Sequence, residues 1–288
     1  MSGSGSRALT VRLLTVAAAC VLSCVTLPAG PSASAVVEPP SPGQRPEHTQ
    51  PGVSPPGAND WTCDPTARHP HPVVLVHGTF GDMTVSWNRV SPALVQLGYC
   101  VFALDYGNRA TGPIEESAGE LAGFVDDVLA ATGAAKVSMV GHSQGGMMPR
   151  YYIRHRGGDS VVEDLVGLAP SNHGTKSPGA LATERPCPAC AQQAWGSPFI
   201  TALNRGDETW ADIDYTQVVT RYDEVVTPYT SGFLTPGPRS TNLVLQESCA
   251  VDTTEHLGII YDRIALRWVV NALGREGPAD PRAATGCV

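Results

Sequence analysis

Residues 136–146 read Lys-Val-Ser-Met-Val-Gly-His-Ser-Gln-Gly-Gly, and this stretch decides the fold. Val137 to Val140 is a short apolar run of the kind that forms a buried strand. Gly141-His142-Ser143-Gln144-Gly145 follows the pattern Gly-x-Ser-x-Gly, in which a serine sits on a sharp strand-to-helix turn. Its strained backbone lifts the Oγ clear of the chain. Small residues are needed two positions either side, because strand and helix pass too close there for a Cβ. Met147 to His155 then has helical character. A bare Gly-x-Ser-x-Gly arises by chance in a chain rich in both residues, but the flanking strand and helix make Ser143 a candidate nucleophile rather than an ordinary turn residue.

Outward from that turn, apolar runs alternate with helical patterns. Pro72 to Gly78, stopped by the glycine, Cys100 to Leu104, Val161 to Ala169, Asp214 to Thr220 and Leu243 to Gln246 read as strands. Pro92 to Leu97 reads as a short helix with proline in its first turn. Ile114, Leu121, Phe124, Val125 and Val128 fall at helical spacing and stop at Gly133, while Leu257, Ile260, Ile264 and Trp268 predict a closing amphipathic helix. Most of the strands lack a two-residue period, so the expected fold is α/β, a mainly parallel central sheet with helices on both faces. Residues 170–213, rich in Pro, Gly and Ser, are the least regular and are expected to cap the mouth of the site.

The 288-residue chain is long enough for one such domain with a substantial core. Arg7 and Arg12, the apolar run Leu13 to Leu27 and Ala33-Ser34-Ala35 together read as a secretory signal peptide over 1–35, so the mature protein is expected to be secreted. Residues 36–59 have the composition of a disordered linker, and the catalytic domain is expected over 60–288. The signal carries two of the 19 basic residues and none of the 27 acidic ones, so its removal moves the formal charge from −8 to −10. Such a surface disfavours nucleic acid and anionic membranes as partners. Cys63, Cys100, Cys187, Cys190, Cys249 and Cys287 remain, an even number that implies three disulfides whose connectivity the sequence leaves open. Cys187-Pro-Ala-Cys190 has no second Cys-x-x-Cys to complete a zinc site and reads as a local disulfide.

A serine hydroxyl needs a base within reach, and that base needs an acid to fix its tautomer. After Ser143 the histidines are His155, His173 and His256. His256 follows the last strand and precedes the last helix, where an imidazole can reach over the turn. Asp223 stands at the carboxyl end of the Asp214–Thr220 run and is the expected acid, with Glu224 and Asp252 as alternatives. An oxyanion needs backbone donors; Gln144 and Thr79, in the loop His77-Gly78-Thr79-Phe80-Gly81, are the candidates. Asp207, Glu208, Asp212 and Asp214 match no calcium loop, and neither a metal nor a cofactor is expected. Phe80, Trp195, Phe199 and Ile200 are apolar residues near the expected rim, with core packing as the competing reading.

Val76-His77-Gly78-Thr79-Phe80, the Gly141–Gly146 turn, Tyr222-Asp223-Glu224-Val225-Val226-Thr227-Pro228 and Glu255-His256-Leu257 together resemble the α/β-hydrolase lipases. The resemblance is to the small secreted bacterial triacylglycerol lipases of the class 2 type and covers the chain from about Trp61 onward. Leu97-Gly98-Tyr99-Cys100 and Asp223-Glu224-Val225-Val226 are also similar to the fungal lipase B group, which carries proline where this chain has His77. The resemblance implies the α/β-hydrolase fold, a Ser143–Asp223–His256 triad, an oxyanion hole at Thr79 and Gln144, and disulfides Cys63–Cys100 and Cys249–Cys287. It implies hydrolysis of triacylglycerols or other carboxylic esters by a cofactor-free monomer touching lipid interfaces only transiently. Short-chain esterase, polyester depolymerase and acyltransferase activities would use the same triad, and an inactive binding protein on the same fold is the alternative of another class.

Overall fold

The computed structural model describes residues 52–177, 186–283, 286 and 287. The expected signal peptide over 1–35 and the expected linker up to residue 51 lie outside the described residues. Six strands form one sheet: β1 (Val73–Val76), β2 (Val101–Leu104), β3 (Val137–His142), β4 (Val162–Leu168), β5 (Asp214–Val219) and β6 (Ser240–Val244). Their order is β2-β1-β3-β4-β5-β6, and every neighbouring pair is parallel.

Side chains of a strand point alternately to its two faces, and here both faces are covered. Val74 and Val76 enter one core with the helices Ile114–Thr132 and Gln144–His155. Val73 and Leu75 enter the other with Trp87, Leu94 and Trp268, carried by the helices Met83–Trp87, Val90–Gln96 and Arg263–Leu273. That double burial is why the strands read as continuous apolar runs. The Ile114–Thr132 helix has Glu115 and Glu116 in its first turn, where the helix dipole favours acids, and stops at Gly133 with φ 65°.

Three boundaries differ from the sequence reading. The run Leu243–Gln246 is divided: the strand ends at Val244 and a helical turn, Leu245–Ser248, begins. The closing helix does not begin at Leu257, which is 62% exposed. A 3₁₀ turn occupies Gly258–Tyr261, extended backbone at Asp262 interrupts it, and the Asp262 carboxylate accepts from Ala265 N at 2.7 Å to start the helix. Residues 53–59, assigned to the linker by composition, lie against the domain. Asn59 N donates to Val101 O at 2.9 Å, and its side-chain amide bonds Ala103 O and Ala103 N at 2.9 and 2.8 Å. Asn59 thus mimics a neighbouring strand along the edge of β2, a role no hydrophobic count detects.

Disulfides join Cys63 to Cys100, Cys187 to Cys190, and Cys249 to Cys287, the pairing that the resemblance implies. No helix among the described residues is long and apolar enough to cross a membrane. Replacing Asn59 with alanine removes both side-chain bonds to Ala103 and is expected to lower unfolding stability by about 1–3 kcal/mol in urea titration; an unchanged midpoint would show that the edge contact is incidental.

Candidate active site

The chain runs from β1 outward to β2, then returns to β3 on the other side of β1. Such a reversal opens a crevice beyond the carboxyl ends of the two central strands. The loop after β1 carries His77, Gly78 and Thr79; the turn after β3 carries Ser143. The two approach so closely that a Cβ on Gly78 would lie 2.9 Å from the Ser143 Cβ.

Ser143 has φ 55° and ψ −121°, a conformation that L-residues seldom adopt. Two glycines permit it. A Cβ on Gly141 would sit 1.8 Å from Gly145 O, so the expected clash between strand and helix is real. Gly145 answers a different contact, because its Cβ would meet Val76 O at 2.1 Å. The helix Gln144–His155 therefore starts hard against the ends of β1 and β3, and its first N–H groups have no partner within the helix.

Asp223, His256 and Ser143 are all buried. Asp223 Oδ2 accepts from His256 Nδ1 at 2.9 Å, while Oδ1 accepts from Val225 N and Val226 N at 3.0 and 2.7 Å. With its proton held on Nδ1, His256 keeps the Nε2 lone pair, the form a general base requires. His142, beside Ser143 in the chain, links the two: its Nε2 donates to His256 O at 3.0 Å, and the two rings lie 4.8 Å apart. Burial and the neighbouring His256 push the His142 pKa down to about 3, so its ring stays neutral.

The other candidates have different places. Glu224 Oε2 accepts from His256 N at 3.5 Å, and Asp252 Oδ1 accepts from Thr254 N at 2.8 Å, so each shapes the histidine loop without touching its ring. His155 lies against Tyr151 at the exposed end of its helix, the two rings 4.6 Å apart and tilted by 45°, and His173 pairs with Glu208 at 2.7 Å. The acidic quartet is divided: Glu208 serves His173 and Thr235, and Asp214 serves Arg239 and Gly277. Among the rim candidates, Phe80 and Trp195 are about half exposed, whereas Ile200 is 4% exposed and Phe199 packs on Tyr151, so these last two belong to the core.

Thr79 has partners that the sequence did not reveal. Its Oγ1 accepts from Gln144 Nε2 at 2.8 Å and from Gln193 Nε2 at 2.9 Å. Each amide is oriented elsewhere. Gln144 Nε2 also bonds Ala110 O at 2.8 Å; Gln193 Nε2 bonds Ala189 O, and its Oε1 accepts from Ser171 Oγ at 2.9 Å. With both lone pairs engaged, the Thr79 hydroxyl has only its proton left to offer. Gly107, Asn108, Arg109 and Ala110 all have positive φ, a left-handed turn that presents Ala110 O to Gln144 and bonds Phe80 at both ends, through Phe80 N to Arg109 O and Arg109 Nε to Phe80 O. His77, where the fungal group has proline, stacks on Tyr106 at 4.5 Å and donates from Nδ1 to Gly78 O at 2.9 Å.

A family model described as lipase (class 2) matches residues 70–268. The chain is 34% identical over 116 residues to a triacylglycerol lipase of Vibrio cholerae, covering 39% of this chain and 35% of that one. It is 36% identical over 95 residues to a triacylglycerol lipase of Pseudarthrobacter phenanthrenivorans, covering 31% and 30%. The matches thus span about a third of these curated relatives. The crystal structure of Aspergillus fumigatus lipase B superposes with a TM-score of 0.69 at 22% identity, over 88% of this chain and 64% of that one. A Bacillus licheniformis lipase in mature form gives 0.54 at 18%, over 68% and 88%. These likenesses establish the α/β-hydrolase fold. A fluorophosphonate probe is expected to label Ser143 alone, and Asp223→Asn to slow labelling by about 10³–10⁴-fold by reversing the His256 tautomer; peptide mapping by mass spectrometry reads both, and equal rates would separate Asp223 from the serine's reactivity.

Proposed function

The chain belongs to the class 2 lipase family, and from that premise we propose that it is a secreted serine hydrolase of carboxylic esters, a triacylglycerol lipase. The observation that carries the reading is the Asp223–His256 hydrogen bond of 2.9 Å, with His256 O bonded by His142, the residue before a serine held at φ 55°. In the proposed reaction His256 Nε2 takes the Ser143 proton as Oγ attacks the ester carbonyl carbon. The backbone N–H groups of Gln144 and Thr79, together with the Thr79 hydroxyl, would hold the resulting oxyanion. His256 then gives its proton to the departing alcohol as the C–O bond breaks. Water, deprotonated by the same nitrogen, attacks the acyl-enzyme, frees the acid and returns the proton to Ser143.

The lipid preference is supported by what surrounds the site. Phe80, Tyr222 and Leu257 are neighbours in the chain of Thr79, Asp223 and His256, and each is 45–62% exposed. Trp195, two residues beyond Gln193, is 47% exposed with the Lys176 ammonium 4.1 Å from its ring. Large apolar side chains that each adjoin a site residue suit a mouth that meets an apolar surface. The three disulfides are consistent with an oxidising, extracellular compartment. No cofactor enters the scheme.

Two measurements follow. The mature protein should hydrolyse emulsified long-chain glycerides, with loss of all but background rate in Ser143→Ala; Trp195→Ser with Leu257→Ser should lower the rate on emulsion while sparing soluble butyrate esters. Hydrolysis confined to soluble short esters would make it an esterase, and no ester hydrolysis by the folded protein would overturn the reading. Thr79→Val and Gln193→Leu should each lower kcat by about ten- to a thousandfold with KM little changed, because the donor acts on the oxyanion and not on the ground-state ester; a change confined to KM would assign both to substrate binding.

A further inference from the structure

A second concavity, of about 710 Å³, shares no residue with the Ser143 site. It lies between the Arg263–Leu273 helix and Arg89 and Leu97, which flank the helix Val90–Gln96, on the sheet face opposite the Gln144–His155 helix. Four arginines line it: Arg68, Arg89, Arg263 and Arg267. None of them forms an ion pair or a hydrogen bond among the described residues, whereas Arg221, Arg239 and Arg282 pair with carboxylates and Arg150 and Arg154 with carbonyls. No Asp or Glu lines the groove, although acidic residues outnumber basic ones by 27 to 19 in the chain.

This concentration of one sign works against the fold. Arg263 and Arg267 stand one helical turn apart, a spacing at which like charges repel. Burial and the nearby Arg263 guanidinium pull the Arg89 pKa below the ordinary arginine value against the opposing pull of the Asp262 carboxylate, and its buried Nε has no partner among the described residues. Between the cations the surface is apolar: Leu266 and Val270 are half-buried, and Leu97 is 48% exposed. A polyanion would make no use of that floor, and a neutral lipid would make none of the guanidiniums. The volume lies within the usual range of about 300–1,000 Å³ for small-ligand sites.

We propose that this groove binds a single-chain anionic amphiphile, its phosphate or carboxylate head forked by Arg263 and Arg267 and its alkyl chain lying on Leu97, Leu266 and Val270. Guanidinium is the suited cation, because its planar donors meet two oxygens at once. The site is independent of ester hydrolysis, so its test does not stand or fall with the catalytic reading.

The full mature chain carrying Ser143→Ala, with and without Arg263→Gln plus Arg267→Gln, would be titrated calorimetrically with dodecyl phosphate below its micelle concentration. Laurate, dodecyl maltoside, inorganic phosphate and hexametaphosphate would be run alongside. Circular dichroism would check that the variants are folded. Dodecyl phosphate should bind one site, at least tenfold more weakly in the double variant, and at least tenfold more tightly than inorganic phosphate or the maltoside. Comparable laurate binding would include fatty-acid carboxylates, and its absence would restrict the head to phosphate. Tighter binding of hexametaphosphate would overturn the proposal in favour of a polyanion surface. Unchanged affinity in the double variant, or no binding by the parent, would overturn it outright.

Discussion

The backbone of Ser143 is the constraint from which the rest of the site follows. A residue at φ 55° costs about 1–3 kcal/mol unless its surroundings enforce it. Enforcement comes from Gly141 against Gly145 and from Gly145 against the end of β1, approaches that any side chain would prevent. Behind them Met147, Met148 and Tyr152 bury the elbow helix in the core and keep it pressed forward. The same pressure brings the Gln144 end of the helix beside the loop after β1. Strain at Ser143 and the closeness of Gln144 to the Thr79 loop are therefore two consequences of one packing contact.

The loop after β1 is braced from segments remote in sequence. On one side the left-handed turn Gly107–Ala110 bonds Phe80 and Gln144. On the other, Gln193 reaches Thr79 from the segment that follows the Cys187–Cys190 disulfide and its short helix. Residues 186–213 thus supply one of the two amides that bond the Thr79 hydroxyl. The same segment is tied back by Asn204, which bonds both Arg150 of the elbow helix and Asn172 O. That segment and the elbow helix are one hydrogen-bonded unit.

How much of this was legible in the sequence depended on whether the signal was local. The elbow turn and the parallel sheet rest on a short motif and on runs of buried residues, and those could be read directly; the hydrogen bond between Asp223 and His256 joins two of the residues singled out from the sequence. Leu257 misled because its spacing from Ile260 and Ile264 is helical, while the Asp262 cap that restarts the chain is a single side-chain bond. Asn59 and Gln193 gave no signal: each acts through side-chain bonds to partners 44 and 114 residues away. Phe199 and Ile200, legible only as apolar, could be assigned to the core once the tertiary neighbours were known.

Three buried histidines, His77, His142 and His256, meet at this site, and the placement of carboxylates distinguishes them. A buried imidazolium is unstable unless an acid faces it. His142 has only a backbone carbonyl at hydrogen-bond distance, and burial with the nearby His256 holds its pKa near 3. His77 spends its Nδ1 proton on Gly78 O, lies 3.6 Å from Asp105, and is likewise pushed down chiefly by burial. His256 alone has a carboxylate at 2.9 Å whose second oxygen is fixed by two backbone N–H groups. Protonation of either neighbour would oppose a cation on His256, so their neutrality is part of what makes room for one. The three rings are thus told apart by where one carboxylate was placed and by the burial that keeps His142 and His77 neutral.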